Sequence, residues 1–126
     1  MRKTAMIDEA VAPAGHYSHA IVTNGLVYVS GQGPVDPRTG EMPATFAEQV
    51  GQTLRNLDTI LRGVGTELKN AVKINAYLSD VANFSEFDAV YRNFFSDEPP
   101  ARTTVGCQLV DIMVEIDCTA VLPSAA

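Results

Sequence analysis

Two apolar-rich quartets, Ala20-Ile21-Val22-Thr23 and Leu26-Val27-Tyr28-Val29, flank Asn24-Gly25. That pair readily adopts the positive φ angles of a type I′ turn, so the pattern predicts a β-hairpin. The second strand runs directly into Ser30-Gly31-Gln32-Gly33-Pro34, which places Ser30 at a strand end where backbone amides become free to bind a ligand. Residues 35–40 read as a loop. Thr45 and Glu48 form a capping-box pattern, in which the Thr45 hydroxyl accepts from the Glu48 amide and Glu48 reaches back to the Thr45 amide. The helix that follows carries Phe46, Val50, Leu54, Leu57, Leu61 and Val64 on one stripe, with Gly63 and Gly65 as stop signals. Val72, Ile74, Ala76 and Leu78 then alternate with Lys73, Asn75, Tyr77 and Ser79, the period of a half-buried strand. Asn83, with Glu86 three residues on, opens a second helix whose Phe84, Phe87, Tyr91, Phe94 and Phe95 are expected in the core; Asp97-Glu98-Pro99-Pro100 ends it. Two further strands are read over 103–110 and 112–122, with Asp111 near their junction.

The order is β-β-α-β-α-β-β, an α+β arrangement in which a mixed sheet carries both helices on one face. The other face has to meet water or another subunit. Apolar side chains of both parities, Val27 and Val29 against Leu26 and Tyr28, point to self-association without fixing its symmetry. At 126 residues with no visible linker, residues 1–126 are read as a single domain. The N-terminal Met1-Arg2-Lys3-Thr4-Ala5-Met6 lacks a secretory apolar stretch, and no window approaches the ~20 apolar residues of a membrane span. The expectation is therefore a cytoplasmic protein with no membrane partner. Cys107 and Cys118 form neither a metal-like cluster nor a disulfide framework and are read as packing residues. The net charge is −6 and the nine basic residues are scattered, which argues against nucleic acid: phosphate binding needs clustered Lys and Arg to release counterions.

Candidate chemistry concentrates late in the chain. Arg102 follows Pro99-Pro100-Ala101, and Glu115 lies in Met113-Val114-Glu115-Ile116-Asp117; both sit on apolar, strand-like runs. A charge in such a run needs a partner, a ligand or water. Arg102 presents a planar fork of donors suited to a carboxylate, the alternative being an ion pair with Asp117, Glu115 or Glu98. If the two runs form a hairpin about Asp111, Arg102 lies opposite Thr119 or Ala120, leaving Glu115 four or five residues away, ~15 Å at the usual strand rise. Direct pairing then requires a bulge or a neighbouring subunit. Glu115 reads otherwise as an exposed strand carboxylate.

Taken together, Gly15-His16-Tyr17-Ser18, Val29-Ser30-Gly31-Gln32, Pro100-Ala101-Arg102 and Val114-Glu115-Ile116-Asp117 resemble, in order, the motifs of the Rid (reactive intermediate deaminase) or YjgF family. The resemblance covers essentially the whole chain. It implies a chorismate-mutase-like homotrimer with pockets between subunits, which hydrolyses enamines and imines such as 2-aminoacrylate to 2-keto acids and ammonia. It gives Arg102 the carboxylate-anchoring role and Glu115 the general-base role of orienting water and returning a proton to the departing nitrogen. Ser30 and the Gly31 amide hold the substrate and Tyr17 closes the mouth as a lid; a strand-end hydroxyl satisfying local backbone and an ordinary interface aromatic are the plain alternatives. Three positions depart from the family pattern. His16 replaces a proline, Thr104 stands where many members have cysteine, and Asp88 where many have asparagine; Asp88 adds negative charge if it lines the pocket. Thr104 and Asp88 complete the expected substrate-binding set.

No cofactor and no metal are called for. His16 and His19 lack further ligands and read as surface or interface histidines, and Gly31-Gln32-Gly33 is not a dinucleotide fingerprint. The rival readings are a non-catalytic trimer that binds a small carboxylate and, against the charge argument, an endoribonuclease.

Overall fold

The computed structural model describes residues 1–95 and 97–123. Six strands form one sheet: β1 (Lys3–Ala5), β2 (Ala20–Thr23), β3 (Leu26–Gln32), β4 (Ala71–Leu78), β5 (Ala101–Gly106) and β6 (Val114–Val121). Two helices, α1 (Phe46–Gly63) and α2 (Phe84–Tyr91), lie between strands in the chain. The spatial order is β1-β2-β3-β6-β4-β5, with β4 and β5 parallel and every other neighbouring pair antiparallel. The α+β class and the mixed sheet read from the pattern hold; β1, too short and too polar to carry a signal, is an addition.

Local chemistry explains where elements start. Asn24 and Gly25 have φ of 49° and 76°, and Thr23 pairs with Leu26, so the hairpin turns on these two residues. At the start of α1 the Thr45 hydroxyl accepts from the Glu48 amide at 3.2 Å. The reciprocal arm differs from the expected box: the Thr45 hydroxyl donates to the Glu48 carboxylate at 2.7 Å. The second helix is shorter than expected. Asp80 accepts from the Ala82 amide and opens a 3₁₀ turn over Val81–Asn83, Asn83 makes no side-chain cap, and α2 ends at Tyr91 instead of running to Asp97.

Alternation on β3, β4 and β6 delivers Val27, Val29, Ile74, Ala76, Leu78, Val114, Ile116, Cys118 and Ala120 to one face, where Val50, Leu54, Leu57, Ile60 and Leu61 of α1 and Phe87 and Tyr91 of α2 cover them. Burying each such side chain contributes roughly 1.5–3 kcal/mol. Phe84, expected in the core, is 42 % exposed. The opposite face is open, and Tyr28, Val105 and Val121 stand exposed on it. No helix is long and apolar enough to cross a membrane among the described residues.

The largest correction concerns the last two strands. They do not form a hairpin: β4 lies between them, pairing Ile74 with both Arg102 on β5 and Cys118 on β6. The chain from β5 leaves the sheet after the Cys107 amide bonds to the Leu78 carbonyl, and it returns where the Ser79 amide bonds to the Met113 carbonyl. That excursion carries β6 past β4 to the middle of the sheet. Cys107, read as packing, is exposed, whereas Cys118 is buried; both are free thiols.

Candidate functional site

Two groups of the expected residues assemble, on opposite faces of the sheet. Arg102 shares the helix-covered face with Ile74 and Cys118, while Glu115 pairs with half-buried Tyr77 on the open face. Within one protomer, therefore, the guanidinium and the carboxylate face different surroundings. The cavity beside Arg102 and the cavity beside Glu115 share no lining residue.

The first group is built by β5 and α2. Arg102 is 18 % exposed, and its guanidinium carbon lies 4.6, 5.2 and 5.5 Å from the ring centres of Tyr91, Phe87 and Phe84. A cation over aromatic faces keeps favourable electrostatics while giving up water. Its Nη1 donates to Asp88 Oδ1 at 2.9 Å, so the ion-pair partner is Asp88 and not Asp117, Glu115 or Glu98. Asp88 Oδ2 in turn accepts from Arg92 at 2.9 Å, one turn along the helix. Hydrogen bonds first from Arg102 and then from Arg92 hold the Asp88 carboxyl below the ordinary carboxylate range. Asp88, Tyr91, Arg92, Phe95 and Arg102 line a cavity of about 440 Å³. Burial pushes the Tyr91 hydroxyl up to about 12. Among the described residues the buried hydroxyls of Tyr91 and Thr104 have no hydrogen-bond partner.

The second group is built by β3, β6 and the segment before β2. Pairing of β3 with β6 slips between Val29 and Gln32, so Ser30 and Gly31 fall in the interruption although the strand itself continues to Gln32. The Ser30 amide donates to the His19 carbonyl and its hydroxyl to the Ser18 carbonyl at 2.7 Å, so this hydroxyl is engaged by local backbone. Glu115 lies directly over Gly31: a Cβ added there would sit 2.6 Å from Glu115 Oε2. Tyr17, about half exposed, packs its ring on Gly15, and its hydroxyl accepts from the Ala14 amide at 3.1 Å. Tyr17, Gly31, Glu115, Ile112 and residues 11–14 line a cavity of about 190 Å³. A larger one of about 650 Å³, also bordered by Tyr17, is lined by His16, Ser30 and Tyr28. The neighbouring carboxylate on β6, Asp117, is occupied, taking hydrogen bonds from Asn75 at 2.9 Å and Tyr77 at 3.0 Å. Burial, then the bond to Asp117, raises the Tyr77 hydroxyl above its ordinary value.

Several supporting residues escaped the sequence reading. His19 is buried and not a surface histidine: its Nδ1 accepts from the Ile7 amide at 2.9 Å and its Nε2 meets the Val11 carbonyl at 2.7 Å, fixing the segment that leads to Tyr17. On α1, buried Asn56 donates to the carbonyls of Gly33 and Val35, and buried Gln49 accepts from the Met113 amide at 3.1 Å. These two amides anchor both chain segments that flank the Glu115 cavity. The available signal was polar residues on the otherwise apolar face of a helix. Arg92 had a plainer one, its position four residues after Asp88 on a helix. No cluster of three or more metal-ligating side chains occurs among the described residues.

Comparison with known proteins accounts for this architecture. Residues 7–122 match the family model described as Endoribonuclease L-PSP. A RutC family protein of Aquifex aeolicus is 37 % identical over 111 residues, covering 86 % of this chain and 89 % of the relative. Among solved structures, RidA from the Antarctic bacterium Psychrobacter sp. PAMC 21119 superposes with a TM-score of 0.89 at 32 % identity, covering 94 % of this chain and 98 % of that one. TdcF from E. coli, solved with bound serine, gives 0.86 at 28 % identity over the same shares. With its sheet order, its paired helices and a family match over nearly its whole length, the chain belongs to the YjgF/RidA/RutC family.

Proposed function

We propose that this protein is a cofactor-independent hydrolytic deaminase of small enamine and imine acids of the 2-aminoacrylate/2-iminopropanoate type, producing a 2-keto acid and ammonia. The observation that carries the reading is the pair of complementary half-sites: a guanidinium set in an aromatic cradle beside a cavity, and a carboxylate set over Gly31 at the wall of another. Because they occupy opposite faces of one sheet, the working site is composed across subunits of a homotrimer, Arg102, Asp88 and Thr104 coming from one protomer and Tyr17, Ser30, Gly31 and Glu115 from its neighbour. The open sheet face with exposed Tyr28, Val105 and Val121 supports association. A cytoplasmic setting goes with two free thiols.

In this site Arg102 anchors the substrate carboxylate and thereby orients the imine carbon. Glu115 takes a proton from water as the oxygen adds to that carbon, giving a carbinolamine. With the imine nitrogen protonated, that carbinolamine is neutral; Glu115 then returns the proton to the nitrogen, and as the nitrogen departs as ammonia the carbinolamine hydroxyl passes its proton through Glu115 to the ammonia, leaving the carbonyl and an ammonium ion. Tyr17 screens the mouth, and Thr104 stands two residues after Arg102 on the same face of β5.

The test is to add the protein to a pyridoxal-phosphate enzyme that releases 2-aminoacrylate and follow pyruvate. Appearance of pyruvate should accelerate, and Arg102→Ala should abolish the effect; an unchanged rate would contradict the proposal. A non-catalytic carboxylate-binding trimer is the second reading, favoured by one observation, that Arg102 and Glu115 do not meet in a protomer. The bound serine of the TdcF structure fits either reading, since serine carries a carboxylate and an amino group. The endoribonuclease name attached to the family model draws no support from a net charge of −6.

A further inference from the structure

We propose that Asp88 makes the Arg102 site selective for zwitterions, so that a carboxylate with a cationic nitrogen on the adjacent carbon is held and a plain carboxylate of the same skeleton is rejected. The inference rests on the deaminase reading of Arg102 as the carboxylate anchor and extends it to the charge state of the substrate.

Three features converge. First, Arg102 already shares its charge: Nη1 bonds to Asp88 Oδ1 at 2.9 Å, and both side chains line one cavity. Second, Asp88 is held through both oxygens, because Oδ2 accepts at 2.9 Å from Arg92, the residue that caps the same helix. Third, the guanidinium is largely withdrawn from water against three aromatic rings, where charges interact more strongly than at an open surface. A ligand carboxylate that takes the remaining donors of Arg102 therefore lies close to a fixed second carboxylate. The repulsion falls on any simple anion. It is cancelled when the ligand brings a positive nitrogen next to its carboxylate, because that nitrogen has Asp88 as counter-ion. The lowered pKa that hydrogen bonds from Arg102 and Arg92 impose on Asp88 keeps this charge present at neutral pH.

The consequence for turnover is directional. Hydrolysis converts a protonated imine and water into a carbonyl and an ammonium ion, so the cation beside the carboxylate is removed in the same step that completes the reaction. The substrate is complementary to the Arg102–Asp88 pair and the keto acid product is not. Asp88 thus hastens product departure.

A matched pair of probes isolates the effect: pyruvate and L-alanine share a three-carbon skeleton and a carboxylate and differ in carbonyl against ammonium. Titration of each into wild-type protein, Asp88→Asn and Arg102→Ala, followed by calorimetry or amide shifts, should show alanine bound in preference to pyruvate by the wild type. In Asp88→Asn, an isosteric change at a part-exposed helix position, pyruvate should bind at least tenfold more tightly relative to alanine. An unchanged ratio with binding still dependent on Arg102 overturns the role of Asp88 and leaves the deaminase reading standing. Binding indifferent to Arg102→Ala overturns the anchor itself, and failure of both probes to bind wild type and Asp88→Asn alike overturns both statements.

Discussion

Replacing Gly31 by alanine separates the place of Glu115 from the integrity of the fold. Gly31 lies outside the left-handed region, so an alanine backbone fits there without strain. The three atoms nearest its new Cβ all belong to Glu115, at 2.6 Å for Oε2, 3.0 Å for Cδ and 3.3 Å for Cγ. Ordinary contact begins at 3.4 Å, so the carboxylate end must retreat by about 0.8 Å, and the whole side chain must move with it. Glu115 can do this by changing rotamer at a cost of about 0.5–1.5 kcal/mol, because its terminus borders a cavity. Catalysis is less forgiving, since a displacement on the order of 1 Å of a positioned group costs about 10²-fold. Thermal melting should therefore shift by only a few degrees while pyruvate release from 2-aminoacrylate falls about 100-fold at unchanged carboxylate affinity. Full activity in Gly31→Ala would refute the assignment of Glu115 as the base acting from its place over Gly31.

Asn56→Ala removes two hydrogen bonds to the carbonyls of Gly33 and Val35 and leaves both without that donor, so urea unfolding should show a loss of about 1–3 kcal/mol. Tyr91→Phe deletes a buried hydroxyl that has no partner among the described residues and should leave stability unchanged or raise it by about 1 kcal/mol; a clear loss would mean that this hydroxyl is bonded in the assembled protein. Asp88 has its carboxyl depressed, so its ion pairs stabilise the fold above the ordinary value of 3.8 and cease to do so as pH falls through the lower folded value. Wild type should be more stable than Asp88→Asn at neutral pH, with the difference fading as the solution is acidified below 3.8; a difference that persists in acid would contradict the sign.

The legible parts of the molecule were those governed by neighbours in sequence. Asn24-Gly25 set a turn, Thr45 and Glu48 set a helix start, and the stripe from Phe46 to Leu61 set the buried face of α1, because each depends on a span of two to four residues or a fixed period. Strand order depends on contacts far apart in the chain. Nothing local to residues 101–121 reveals that β4 separates their two strands, and so the hairpin geometry inferred for Arg102 and Glu115 failed. Of the residues expected from the motifs, Tyr17, Ser30, Gly31, Arg102 and Glu115 border cavities and Thr104 does not, and nothing in the motifs revealed that Asp88 grips Arg102, since that contact joins a helix to a strand edge. Likewise His19 and Asn56 read as ordinary polar residues until the backbone groups they serve are seen.

Mixing two inactive variants tests the shared site most directly. Arg102→Ala protein lacks the anchor and Glu115→Gln lacks the base, yet each keeps the half-site the other has lost. If every site draws Arg102 from one protomer and Glu115 from the next, random reassembly of equal amounts should restore roughly a quarter of wild-type pyruvate release, whatever the ring size. Activity that stays at the level of the parents in mixtures shown by mass to contain both chains would contradict a site built between subunits.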